Sequence, residues 1–166
     1  MIMTDLRIAA RIAILTALSL ILFLLEGLLP LPLPVPGAKL GLAAVVTLVA
    51  LYMLPRTCDA FLVLLLRILL AAAFGGGIAP MLYSLAGGAA SFAAMALLKA
   101  RTSFSVVGIS AVGGFLHNMG QLGVAAAVMQ TDALLIYAPV LGIAGILTGL
   151  AVGLLTKQIL QKISTG

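Results

Sequence analysis

The chain has 166 residues, of which 64% are hydrophobic and 8% charged, and its mean hydropathy is +1.34. Soluble domains carry about 25% charged residues, so this composition excludes an ordinary soluble enzyme and specifies a membrane protein. The net charge of +5 is spread as single cations between apolar runs, which is the pattern of membrane topology and not of a nucleic-acid-binding patch.

A spanning helix needs about 20 mostly apolar residues, with about 17 as the practical minimum. Six segments meet this, at 8–28, 38–54, 59–75, 79–98, 104–129 and 133–156. The expected fold is therefore an all-α integral membrane protein: one six-helix membrane domain over 1–166, in contact with the lipid bilayer. In the first segment Arg7 and Arg11 precede the apolar run, as in a signal peptide. No A-x-A site follows and the run ends in Glu26 and a proline string, so a retained helix is expected. "PLPLPVPG" (30–37) cannot be helical, because proline removes donors and restricts the residue before it. "PRTCD" (55–59), "GGGIAP" (75–80), "KARTS" (99–103) and "QTDA" (130–133) supply the remaining breaks.

Orientation follows from the cations. With six helices, Arg7, Arg11, Arg56, Lys99, Arg101, Lys157 and Lys162 fall on one side and Lys39 on the other. The positive-inside rule then puts both termini in the cytoplasm. Cys58 is the only cysteine and has no partner for an internal disulfide.

Arg67 lies inside the third apolar run, "LVLLLRILLAAAF", while Lys39 opens the second segment and Glu26 closes the first, both at the outer end. A charge at mid-membrane costs at least about 2.5–3.5 kcal/mol. Two cations against one acid leave one positive charge without a partner. Two structural alternatives stand beside a binding role: Arg67 snorkels to the interface, or Glu26 and Lys39 form an interfacial pair. In "GFLHNMGQ" (114–121), His117 and Gln121 are four residues apart and share a helix face, with Asn118 at its edge. These groups lie at a depth similar to that of Arg67. They read either as interhelical hydrogen bonds, about 0.6 kcal/mol each, or as a polar pocket in the outer half, to which Tyr83, Ser84 and Thr47 would add hydroxyls. No metal-ligand cluster, nucleophile–base pair, phosphate loop or ATPase motif is legible, so neither a cofactor, a metal nor an enzymatic activity is expected of this chain.

Small residues recur every fourth position at Ala9, Ala13 and Ala17, at Ala86, Ala90 and Ala94, and at Gly145, Gly149 and Gly153. Such seams serve either packing inside the bundle or docking of another membrane subunit.

"PGAKLGLAAVVTLVALYML" (36–54), "LYSLAGGAAS" (82–91) and "GFLHNMGQLGVAA" (114–126) together resemble a bacterial family called the Gx transporter family, whose members are often labelled heptaprenyl diphosphate synthase component I. The resemblance runs across nearly all six segments, with "GAKLGLA" and "HNMGQ" its most specific parts. The family in turn resembles the substrate-capture (S) components of energy-coupling factor transporters. The resemblance implies a small multi-pass protein of the bacterial plasma membrane that binds a small-molecule substrate from outside. It also implies docking on a transmembrane coupling subunit with two cytoplasmic ATPases. Ala9, Ala13 and Ala17 match the Ala-x-x-x-Ala seam by which such components dock. The chain departs from the family at Ala44, where "GLAN" is common, so one polar contact is in doubt. The second label implies a role beside a prenyl synthase. Such synthases bind magnesium through aspartate-rich motifs, and the three aspartates here, Asp5, Asp59 and Asp132, are isolated. A noncatalytic membrane subunit of polyprenyl or quinone metabolism is thus the alternative. Substrate-binding candidates are Arg67, His117, Asn118, Gln121, Lys39, Glu26 and Tyr83, and an apolar ligand body with an anionic or carbonyl-bearing head fits them.

Overall fold

The computed structural model describes residues 2–28 and 41–165. Within these the chain is all-α, with α1 (Ile2–Leu28), α2 (Leu42–Met53), α3 (Thr57–Ala71), α4 (Ile78–Arg101), α5 (Val106–Met129) and α6 (Ala138–Ser164). A π turn, Ala72–Gly76, extends α3, and a 3₁₀ turn, Asp132–Tyr137, leads into α6. Lys39 and the "PLPLPVPG" stretch lie outside the described residues.

Local chemistry explains the boundaries. Gly77 at φ 74 separates the π turn from α4. Ser105 caps α5, its hydroxyl accepting from the Gly108 N–H, and Gln130 at φ 49 ends that helix. The Thr131 hydroxyl accepts from the Ala133 N–H to start the 3₁₀ turn. Gly41, at φ 81, delays α2 to Leu42, later than the 38 expected from hydropathy, because a left-handed residue cannot belong to the helix.

Four segments are long and apolar enough to cross a membrane: α1, α3 with its π extension, α4, and α6 with its 3₁₀ lead. At 24 residues α5 matches α4 in length, but His117, Asn118 and Gln121 lower its hydropathy. With 12 residues, α2 reaches only about 18 Å along its axis, short of the roughly 30 Å hydrocarbon core.

Around the bundle the helices neighbour one another in the order α1, α3, α4, α5, α6, α2, with α2 also touching α3. The core sits on α2, whose Val45, Val46, Leu48, Val49, Ala50 and Leu51 are buried, and on Val63, Leu64 and Ile68 of α3. A short helix inside a bilayer leaves unpaired N–H and C=O groups where water does not reach. Charged side chains from its neighbours satisfy them. Glu26 of α1 accepts from the Gly41 and Leu42 N–H groups at 2.6 and 3.1 Å. Lys99 of α4 donates to the Leu51 carbonyl at 2.6 Å, its ammonium 4.8 Å from the Tyr52 ring centre. The acid sits at the positive end of the α2 dipole and the base at the negative end, each the favoured sign.

The tightest contact joins α5 to α6. Built on Gly149, a Cβ would lie 2.5 Å from the Ser110 carbonyl oxygen; on Gly153, 2.7 Å from the Val107 Cα. Gly114 and Gly145 meet backbone to backbone in the same antiparallel register. The α6 glycine seam is therefore spent on packing inside the bundle. On α1, by contrast, Ile12, Thr16, Ser19 and Glu26 face inward, and Ala9, Ala13 and Ala17 are all exposed.

Candidate functional site

The candidate site lies where α1 and α4 flank α3 near the ends of α1 and α3 and the start of α4. Phe23 of α1, Arg67, Ile68 and Ala71 of α3, Ala72 of the π turn, and Pro80, Met81 and Ser84 of α4 line a narrow open cleft with a cavity of about 20 Å³. No packed α1–α4 interface closes it, since each of these helices packs on α3. The periodicity of each helix puts its residues there: Arg67, Ile68 and Ala71 share a face of α3, as Pro80, Met81 and Ser84 do on α4. The π turn that follows Ala71 widens the end of α3, and such turns recur at functional sites.

Arg67 is 7% exposed. Its guanidinium carbon lies 5.5 Å from the centre of the Phe23 ring, a cation–π contact. Its Nε is buried without a hydrogen-bond partner. Glu26, 3% exposed, is within electrostatic range of Arg67, but each of its oxygens already accepts from an α2 N–H. Both groups are buried between helices.

The "HNMGQ" cluster is divided between two neighbours. His117 and Gln121 press on α4 at Gly87, where an added Cβ would fall 2.6 Å from the His117 carbonyl oxygen and 2.8 Å from Gln121 Cγ. The His117 ring also interacts with the Gly87 backbone and is in electrostatic range of Arg67. Asn118 points the other way, and its Nδ2 donates to the Leu141 carbonyl of α6 at 2.8 Å. Tyr83 is half-buried on α4, one turn before Gly87. Thr47 is buried, its hydroxyl donating to the Ala43 carbonyl within α2. Of the expected residues, the structure thus brings Glu26 and His117 each into electrostatic range of Arg67, sets Ser84 beside Arg67, and turns Asn118 to α6. Phe23 carried no polar signal in the sequence. Its position three residues before Glu26 on α1 is the only hint that it shares a face with the charged pair.

Asn118 accordingly acts as an α5–α6 tie. Asn118→Leu is expected to lower stability by about 0.6 kcal/mol, the average for an interhelical hydrogen bond in a membrane protein, read as a small shift in thermal unfolding in detergent.

The arrangement holds one desolvated cation in a narrow, mostly apolar cleft. It can bind an anionic or strongly polar head. No curated protein and no solved structure matches the chain. A family model described as heptaprenyl diphosphate synthase component I matches residues 15–159, through all six helices. This membrane protein, with its buried arginine cleft and glycine-sealed α5–α6 pair, belongs to the heptaprenyl diphosphate synthase component I family.

Proposed function

We propose that the chain is the substrate-capture component of an energy-coupling factor transporter, a six-span bundle with both termini in the cytoplasm. It takes up a small, partly apolar substrate on the outer side. One observation carries the reading. Two of the chain's small-residue seams, at its two terminal helices, have different fates. The glycine seam of α6 is consumed by α5, while Ala9, Ala13 and Ala17 of α1 stay uncovered. An uncovered alanine stripe lets another membrane helix approach closely. A groove lined by Arg11, Ile14, Leu15, Met53 and Leu54 runs beside it. The partner that fits is the transmembrane coupling subunit, with two ATPases beneath it, and the energy for release comes from them.

The second reading, a noncatalytic membrane subunit beside a polyprenyl diphosphate synthase, is favoured by the family description. The aspartates suit the noncatalytic part of it. Asp5 and Asp59 start α1 and α3 at one end of the bundle, and Asp132 starts the 3₁₀ turn at the other.

Ala13→Leu separates the readings. Overpacking a close helix contact costs about 1–3 kcal/mol, so copurification of the coupling subunit and ATPases should fall by roughly tenfold or more, with the bundle still folded. Recovery of a soluble, aspartate-rich synthase in place of ATPases would establish the second reading. A coupling complex that assembles normally around Ala13→Leu would remove the stripe as the docking face.

A further inference from the structure

We propose that the Arg67 cleft binds the head of a monoanionic amphiphile, a carboxylate or singly charged phosphate ester with an apolar tail, and discriminates against a diphosphate. This deepens the capture reading above and rests on it.

The charge count sets the valence. Arg67 contributes +1 and Glu26 −1, while the α2 N-terminus held by Glu26 adds about +0.5, so the trio is left with about half a positive charge. A single negative charge is thereby accommodated next to the buried guanidinium. A diphosphate would bring two or more charges to one arginine, with Glu26 in range to repel them. Among the described residues that line the cleft, Arg67 is the one cation.

Size sets the shape. The cavity beside Arg67 is about 20 Å³, room for about one water-sized group and far below the roughly 300–1,000 Å³ of pockets that enclose a whole ligand. The cleft takes a single anionic oxygen of the head, and the rest of the head and the tail lie at and beyond the mouth. The walls passed on the way out are apolar: Phe23, Ile68, Ala71, Ala72, Pro80 and Met81. Ser84 is the second hydrogen-bonding side chain of the lining. The Arg67 Nε, buried and unpartnered, is a donor whose desolvation an anion would offset.

The test uses the full chain in nanodiscs. The sequence has no tryptophan, so Leu82→Trp, at a 40% exposed position beside Met81, gives a lone fluorescent donor near the cleft. Ile143→Trp on α6, 62% exposed, reports bulk partition into lipid. The probe is cis-parinaric acid, a fluorescent long-chain carboxylate, with its methyl ester as the neutral match. Saturable energy transfer from Leu82→Trp and not from Ile143→Trp is expected. The ester, and the acid on Arg67→Met, should each bind roughly tenfold or more weakly, the loss of one charge-assisted hydrogen bond. Ser84→Leu, which narrows the cleft and keeps the charge, should weaken the acid as well. Farnesyl diphosphate should compete less well than farnesoic acid. Equal binding of acid and ester, equal transfer to both reporters, or stronger competition by the diphosphate would overturn the proposal. The acid–ester comparison keeps Arg67 in place, so it decides even if Arg67→Met fails to fold. Failure here leaves copurification of ATPases unaffected, and a chain without ATPase partners can still pass this test.

Discussion

Glu26→Ala is expected to destabilise the bundle by about 3–5 kcal/mol, the largest effect of any single substitution considered. Two hydrogen bonds from backbone N–H groups to a charged acceptor are lost, each worth about 1.5–3 kcal/mol, and the α2 N-terminus has no water to turn to. Removing the acid also strips Arg67 of the charge that offsets it, and uncompensated buried charge is itself costly. Glu26→Gln retains one acceptor oxygen but turns an amide NH₂ toward a donor, so about half of the loss should remain. Unfolding in mixed micelles with increasing SDS, followed by circular dichroism, measures both. A Glu26→Ala protein as stable as the parent would mean that the α2 N-terminus is satisfied otherwise. The same variants also test whether α2 is positioned by its ends. Its 12 residues are too few to be held by span alone, and the caps tie it to α1 at one end and α4 at the other.

Gly149→Ala is expected to cost about 1–3 kcal/mol, the range for overpacking a filled interior, and Gly149→Leu more. The new Cβ would meet the Ser110 carbonyl oxygen at 2.5 Å and the Ala111 Cα at 2.9 Å. These are backbone atoms and cannot rotate away, so α5 and α6 must separate. Separation would also pull Asn118 from the Leu141 carbonyl, because both contacts share one register. Gly123→Ala is the control. It lies on the partner helix α5 with nothing within 4 Å of its added Cβ, and should change stability by less than about 1 kcal/mol, in the stabilising direction. Parallel thermal melts of the two variants decide the matter. Equal melting would show that the α5–α6 interface tolerates expansion.

Sequence by itself determined the all-α class, the membrane setting, the family resemblance and the breaks between helices. These follow from quantities that add up along the chain. Apolar length specifies a membrane helix, and Gly77, Ser105 and Gln130 act on their own neighbours. Arg67 also stood out in sequence, since a charge in an apolar run is conspicuous wherever it points. The tertiary structure alone decided which neighbour each polar group meets. Asn118 and His117 are adjacent in sequence and lie about 100° apart around a helix, and only the placement of α4 and α6 sends one to Gly87 and the other to Leu141. Glu26 and Lys99 were legible as charges at helix ends, but not as the two caps of α2. That role needs residues 15 and 48 positions away in the chain. The α1 and α6 small-residue seams are equivalent as patterns. Burial is a property of the partner surface as much as of the helix, so only the fold could distinguish the glycine seam that α5 covers from the alanine stripe that no described helix covers.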